Sequence, residues 1–372
     1  MAPPKPPAVA ALYVARRQLT LAAVGADHRI GSVRAAPNPP RPGATGPEVD
    51  IEHVWRWLVA ALGSLGEDFR IEAVVPIAHP ATLARIDGRS LTGPLRLADD
   101  GDLLPLLTEA PPATRWTLGH AQYWGFRLTD GALAAEASSL GEASSLIEAR
   151  GARPTTALRQ LGRHQWLPAM LPPHEVLGRL AAEVADRAEL PTTTPVLVGA
   201  GDLAARHGRL LGAGWETAAL IVVDDAGCRV VAGTSPVEPS MIGLDGRPLA
   251  LFTVRDAGPV VRAPDQVRAA ALRGALVLDH ALDRLASRGP VVIEGSLAAD
   301  TATLGLLAAL RAPRGQAVFA GADPHPLAQA ASLLWGLRQR RPAPRLDLVR
   351  IAPAPCPHLE RLKDDWRLAF DD

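Results

Sequence analysis

Thr194-Pro-Val-Leu-Val-Gly-Ala-Gly-Asp-Leu-Ala-Ala205 is the stretch from which the rest of the chain can be read. Val196 to Val198 is a short apolar run with the character of a buried strand. Gly199 and Gly201 break it, and Asp202 stands at the mouth of the break. Leu203 to Leu211 then has a helical pattern, with Gly212 or Gly214 as its stop. Strand, glycine turn and helix together put a carboxylate at the carboxyl end of a strand, where open α/β sheets gather their chemistry. Three readings follow. Gly199-Ala-Gly-Asp-Leu-Ala204 is a loose dinucleotide fingerprint, with Asp224 and Asp225 at about the ribose-binding distance. Alternatively, Asp202 is a general base facing a substrate hydroxyl. In the third reading this is an ordinary βα turn, with glycine for tightness and Asp202 as a helix cap.

Outward from this stretch, each half of the chain repeats one plan. Val9 to Val14, Leu19 to Val24 and Ile30 to Val33 read as a β-meander turned at Gly25-Ala-Asp-His28. Pro37 to Pro47 reads as a loop. Asp50 to Leu65 is an amphipathic helix, with Asp50 as N-cap and Ile51, Val54, Trp55, Leu58, Val59 and Leu62 on one face. Ile71 to Ile77 is a buried strand and Leu83 to Ile86 another. Helices are expected at Leu118 to Leu128, Leu158 to Leu161 and His174 to Ala185. After Asp202 the plan restarts with a hairpin, Ala218 to Val223 and Cys228 to Gly233, and a strand at Leu249 to Val254. A helix over Val267 to Arg288 leads to a strand at Val291 to Ile293 and a helix at Ala302 to Leu310. A strand at Ala317 to Ala320 and helices at Pro326 to Arg338 and Pro357 to Trp366 complete the half. The pattern is a duplicated α/β fold, divided into residues 1–214 and 215–372.

Composition narrows the function classes. Hydrophobic residues make up 48% of the 372 and aromatics 4%, so the core must be built mainly from Ala, Val and Leu. Lys plus Arg and Asp plus Glu are 39 each, which gives no electrostatic reason to expect nucleic acid or an anionic membrane as partner. Cys228 and Cys356 match no metal spacing and read as reduced thiols of a cytoplasmic protein. The Pro-rich start lacks the apolar stretch of a secretory signal, and no run is long enough to span a bilayer. A soluble protein is expected, and nothing in the sequence opposes a homodimer.

With these pieces in order, the chain resembles the FGGY carbohydrate kinases, nearest to their rhamnulokinase and fuculokinase branch. Asp50-Ile-Glu-His-Val-Trp-Arg-Trp57 and Ile71-Glu-Ala-Val-Val-Pro-Ile-Ala-His79 resemble the family's first helix and its sugar-side strand. Gln122-Tyr-Trp124, Arg127-Leu128 and Glu136-Ala-Ser-Ser-Leu-Gly141 resemble its central segment. Pro195 to Asp202 resembles the strand carrying its catalytic aspartate, and Val291-Val-Ile-Glu-Gly295 its adenosine-side motif. The resemblance implies two actin-like (ribonuclease H-like) domains with ATP and a sugar in the cleft between them, and phosphoryl transfer from Mg-ATP to a hydroxyl of a small ketose such as rhamnulose or fuculose. It implies Asp202 as the base that takes the hydroxyl proton. His79 stands at the sugar side, or else caps a strand end. Trp124 stacks on a sugar ring, or else faces the core. Gly227, Gly295 and Ser296 stand on the nucleotide side.

The chain also departs from that family. Its first hairpin carries Tyr13, Ala15 and Arg17 where the family has Asp, Gly and a small polar residue that let metal and amides approach the phosphates. Its second phosphate turn is Asp225-Ala-Gly-Cys-Arg229, which keeps Gly227 but sets Asp225 toward the phosphate. At 4 Å such a pair repels by on the order of 4 kcal/mol at an effective dielectric near 20. Arg16, Arg17 and Arg229 are either phosphate clamps or solvated surface arginines. On the sugar side Pro80 replaces a glycine, and Ala143 and Gly201 each replace a histidine. A catalytically degenerate member of the family, keeping a sugar-binding or regulatory role, is therefore the second hypothesis. No metal ligand set is read from the sequence.

Overall fold

The computed structural model describes residues 4–80, 82–98, 102–142, 145–224, 227–255 and 266–371. Strands β1 (Pro7–Val14), β2 (Gln18–Gly25) and β3 (Ile30–Pro37) form the expected antiparallel meander. Alternation along β1 decides the layering. Ala8, Ala10, Leu12 and Val14 enter one core, while Val9 and Ala11 enter another. A strand that is apolar on both faces needs cover on both. The segment read as a loop holds a small hairpin, β4 (Arg41–Gly43) and β5 (Gly46–Glu48).

Helix α1 (Ile51–Asp68) starts as expected, because the Asp50 side chain accepts from the His53 amide. Val54, Leu58, Val59 and Leu62 are buried, with Ile51 and Trp55 half-buried beside them. Strand β6 (Arg70–Ala78) then runs parallel to β1, with Tyr13 opposite Ile77 and Val14 opposite Ala78. Strand β7 (Leu83–Ile86) is followed by the short helix α2 (Leu104–Thr108) and pairs with β8 (Trp116–Gly119). That pairing corrects the helix expected from Leu118: Thr117 and Leu118 are claimed by β7, and α3 runs His120–Leu128.

Helix α4 (Ala137–Gly141), the pair β9 (Ile147–Glu148) and β10 (Arg153–Pro154), and helix α5 (Thr156–Gln160) follow. The helix expected over His174 to Ala185 is instead strand β11 (Val176–Arg179) and a shorter helix, α6 (Ala182–Arg187). Val176-Leu-Gly-Arg179 carries no helical stripe, and β12 (Pro195–Leu197) supplies it with an antiparallel partner. Strand β13 (Ala200–Gly201) and helix α7 (Asp202–Gly212) close the first half.

The second half contains β14 (Ala219–Asp224), β15 (Gly227–Ala232), β16 (Met241–Ile242), β17 (Pro248–Val254), α8 (Gln266–Arg284), β18 (Val291–Gly295) and α9 (Thr301–Arg311). It continues with β19 (Val318–Gly321), α10 (Pro326–Gln339), β20 (Leu348–Arg350) and α11 (Leu359–Asp371). Neither β16 nor β20 was foreseen.

The chain divides into two compact units. The first is Met1–Ala213 with Ser240–Pro248 and His325–Pro344, and the second is Gly214–Pro239, Leu249–Pro324 and Arg345–Asp372. Two segments beyond residue 214 thus belong with the first unit. Its sheet runs β11-β12-β6-β1-β2-β3, with β13 beside β6, and the second unit's runs β17-β15-β14-β18-β19-β20. In both, three antiparallel strands are extended by a parallel one, β6 on β1 and β18 on β14. Each unit is an actin-like, ribonuclease H-like layer, as expected.

In the first unit α1 and α3 pack on one face of the sheet, and α10 covers the other through Leu327, Ala328, Ala331 and Leu334. In the second unit α8 and α9 bury Leu272, Leu276, Leu304 and Leu307 against β14 and β18. Helix α11 is fastened to this layer by a buried ionic cluster. The Arg311 guanidinium reaches Asp279 and Asp283 at 2.9 Å each, and Lys363 Nζ reaches Asp279 at 2.9 Å. Asp279 and Arg311 are 1% and 0% exposed.

Candidate active site

The carboxyl ends of β1, β6 and β13 meet in the first unit. Gly201 pairs with Ala78, which pairs with Val14, so the next residues, Asp202 and His79, emerge from neighbouring strands. The His79 amide donates to the Val14 carbonyl at 3.1 Å. Strands β12 and β13 are both parallel to β6 but in different registers: Val196 faces Val74, an offset of 122 positions, and Ala200 faces Ile77, an offset of 123. The one extra residue is a bulge at Gly199. Gly199 has φ +76, and a Cβ there would lie 1.9 Å from the Pro76 carbonyl oxygen. The strand therefore resumes after Gly199, and Asp202 rather than Gly199 begins the helix.

Side chains from two other helices hold the bulge. Gln122 on α3 donates through Nε2 to the Val198 and Gly199 carbonyls, at 3.1 and 3.3 Å. Ser138 Oγ on α4 accepts from the Gly201 amide at 3.2 Å. Ser138 is itself held by Glu136, the buried N-cap of α4, which accepts from the amides and hydroxyls of Ser138 and Ser139. Burial pushes the Glu136 carboxyl up, against the pull of those four donors. Neither Gln122 nor Glu136 was assigned this role from sequence, although both lie in stretches singled out there. Only the fold shows which backbone groups they reach.

Asp202 is fully buried and begins α7, where the helix dipole favours a carboxylate. Tyr13 Oη donates to its Oδ2 at 3.1 Å. His79 is 7% exposed, and its carbonyl accepts from His120 Nδ1 at 2.9 Å. His120 opens α3 and is likewise buried. Desolvation lowers its imidazole to about 4, partly offset by the His79 hydrogen bond and by the charge of Asp202. The ring is neutral at pH 7.

Trp124 is corrected as a sugar-stacking candidate. It is 0% exposed, set edge-to-face on Tyr123 at 5.1 Å and packed in the core with Leu128. Its ring presents no face to a ligand. Arg16 and Arg17 sit in the β1–β2 turn, half-buried and exposed respectively.

In the second unit the nucleotide-side candidates gather at the end of β14. Gly227 pairs with Asp224 across the hairpin. Gly295 has φ +85, and a Cβ there would lie 2.0 Å from the Val223 carbonyl oxygen, to which Ser296 Oγ donates at 3.2 Å. Arg229 is no solvated surface arginine: it is 3% exposed and paired with Asp224 at 3.0 Å. Asp225 and Ala143 lie outside the described residues. Beside this corner a cavity of about 790 Å³ is lined by Val223, Cys228, Gly274, Val277, Leu297 and Thr303. Burial raises the Cys228 thiol to about 11. The dinucleotide reading has no support: the strand after α7 leaves the sheet of β13 and opens an antiparallel hairpin in another. Both cysteines are free, no described helix is long and apolar enough to cross a membrane, and the described residues contain no group of three His, Cys, Asp or Glu that could hold a metal ion.

Comparison with known proteins agrees with this architecture. Residues 248–343 match the family model for the C-terminal domain of the FGGY carbohydrate kinases. No curated protein matches the chain. Among solved structures, a carbohydrate kinase from Novosphingobium aromaticivorans superposes with a TM-score of 0.79 at 19% identity, covering 100% of this chain and 99% of that one. A xylulose kinase from Rhodospirillum rubrum gives 0.75 at 16%, with 98% of each chain covered. Plasmodium falciparum glycerol kinase with ADP gives 0.73 at 9%, covering 99% of this chain and 94% of that one. At these identities the likeness establishes the fold. The rhamnulokinase and fuculokinase branch is not singled out.

Proposed function

We propose that this chain, whose residues 248–343 match the FGGY carbohydrate-kinase C-terminal domain and whose two units carry that fold, phosphorylates a hydroxyl of a small polyol or ketose at the expense of ATP. The observation that carries the reading is Asp202: a buried carboxylate at a helix N-terminus, beside His79 at the carboxyl ends of parallel strands. In this reading Asp202 takes the proton of the attacking hydroxyl. The hydroxyl oxygen bonds to the γ-phosphorus, the bond from that phosphorus to the β,γ-bridging oxygen breaks, and the products are a sugar phosphate and ADP. His79 orients the sugar. Nucleotide binding is assigned to the second unit, where the 790 Å³ cavity has the size and apolar lining of a small-molecule pocket. Gly295 and Ser296 contact Val223, which lines it, Gly227 lies on the adjoining hairpin, and Arg16 and Arg17 remain candidates for phosphate contacts. A cytoplasmic setting, where ATP is plentiful, goes with this proposal.

The first hairpin does not fit a metal ion. Tyr13 turns its hydroxyl to Asp202, and Ala15 is a buried methyl where a glycine would open the backbone. These two residues favour a second reading, a sugar-binding protein of this fold without phosphoryl transfer. Release of ADP, measured with a panel of ketoses and polyols, separates the two. Turnover that is abolished by Asp202→Ala supports the kinase. Turnover that survives this change removes Asp202 from the mechanism, and sugar binding without ADP release favours the second reading.

A further inference from the structure

His120 opens α3 against His79, the residue assigned to the sugar. Its Nδ1 is 2.9 Å from the His79 carbonyl oxygen, an atom that can only accept, so Nδ1 carries the ring proton and Nε2 a lone pair. The ring is tilted on Trp124, with centroids 6.2 Å apart, so its orientation is fixed from two sides. His120 is 2% exposed, and Nε2 has no hydrogen-bond partner among the described residues. A buried acceptor left unmet is costly and rare, and its presence calls for an explanation. The charge of Asp202 also acts on the ring.

We propose that His120 is a specificity residue of the sugar site, and that its Nε2 accepts a hydrogen bond from a hydroxyl of the bound polyol. The inference rests on the kinase reading only in taking a polyol as the ligand. A neutral imidazole nitrogen with a lone pair selects an O–H donor and refuses an ether, carbonyl or carboxylate oxygen at that point. In this proposal one hydroxyl of the ligand faces Asp202 and another faces His120. A site built to bind a hydroxyl rejects the analogue that lacks it far more strongly than an apolar pocket can.

The test is calorimetric titration of the full-length protein with glycerol, D-xylulose and L-rhamnulose, and then with monodeoxy analogues of whichever binds. His120→Phe is expected to weaken polyol binding by about tenfold or more, with ATP affinity unchanged. One monodeoxy analogue should be rejected by the wild type and no longer distinguished by the variant. His120→Gln, which keeps an acceptor, should recover part of the affinity. Equal polyol affinity in wild type and folded His120→Phe overturns the proposal and leaves the kinase reading standing. If the variant does not fold, ¹⁵N-histidine spectra of the wild type decide: the His120 Nε2 resonance must move on polyol addition, and a resonance that stays put overturns the proposal. If ATP binds to the wild type and no polyol does, the carbohydrate reading itself falls.

Discussion

Tyr13 and Asp202 are 189 positions apart in sequence and joined by one hydrogen bond, phenol to carboxylate, at 3.1 Å. The bond ties the end of β1 to the first residue of α7. In the family that the chain resembles, a carboxylate takes the place of Tyr13. The phenol satisfies part of Asp202 with a neutral donor.

Tyr13→Asp would therefore set two carboxylates against each other. The aspartate side chain is shorter than the tyrosine, so at about 6 Å and an effective dielectric near 20 the repulsion is about 3 kcal/mol, and a divalent cation between them relieves it. The variant should melt below the wild type in EDTA and recover on addition of Mg²⁺, while the wild type is insensitive to the ion. A variant midpoint that ignores Mg²⁺ would show that position 13 does not stand at a metal's side.

Acid should act through His120. Its folded pKa, about 4, lies below the ordinary value of about 6.5, so the neutral ring is the one the fold accepts. The contribution is complete above pH 6.5 and is lost as the pH falls toward 4, in all about 3 kcal/mol. Denaturant titrations should show the stability difference between wild type and His120→Gln falling by this amount from pH 7 to pH 4. An unchanged difference would mean that the folded protein admits the charged ring.

Cys228 reports on the second unit's cavity, which it lines. With its thiol raised to about 11, alkylation at pH 8 should run roughly a hundredfold slower than in the unfolded chain. Saturating ATP should slow it further if the nucleotide fills that cavity. Labelling indifferent to ATP would send the nucleotide elsewhere.

Arg311→Ala should be among the most damaging substitutions outside the site. It leaves Asp279 buried with only part of its counter-charge, a change that typically costs about 3–5 kcal/mol. The urea midpoint should fall, and limited proteolysis should first cut within α11, which the same cluster holds through Lys363. Unaltered resistance of α11 would show that its apolar contacts alone secure it.

Much of this was legible in the sequence where the signal was local. The meander, Asp50 as a cap and Asp202 after a broken strand could be read from apolar runs and turn residues alone. What failed depended on packing and pairing that only the fold supplies. Val176 to Arg179 became a strand because β12 needed a neighbour, and Trp124 was drawn inward by Tyr123 and the α3 core face. Arg229 found Asp224 across a hairpin. In the site, Asp202 and His79 were visible as residues, whereas the brace of Gln122, Ser138 and Glu136 depends on backbone atoms far along the chain. His120 offered only a weak signal, a histidine directly after Gly119 at the start of a helix.

The late segment His325–Pro344 has a bearing on how the protein is made. The strands of the first unit leave the ribosome long before α10, the helix that covers one of their apolar faces. Synthesis of the 112 positions from Ala213 to His325 takes roughly 6–22 s at 5–20 residues per second. For that interval Val9, Ala11, Val24 and Val75 lack their cover, so the nascent chain is a client for chaperones until α10 arrives. A gene cut at the apparent midpoint of the duplication would make that transient exposure permanent.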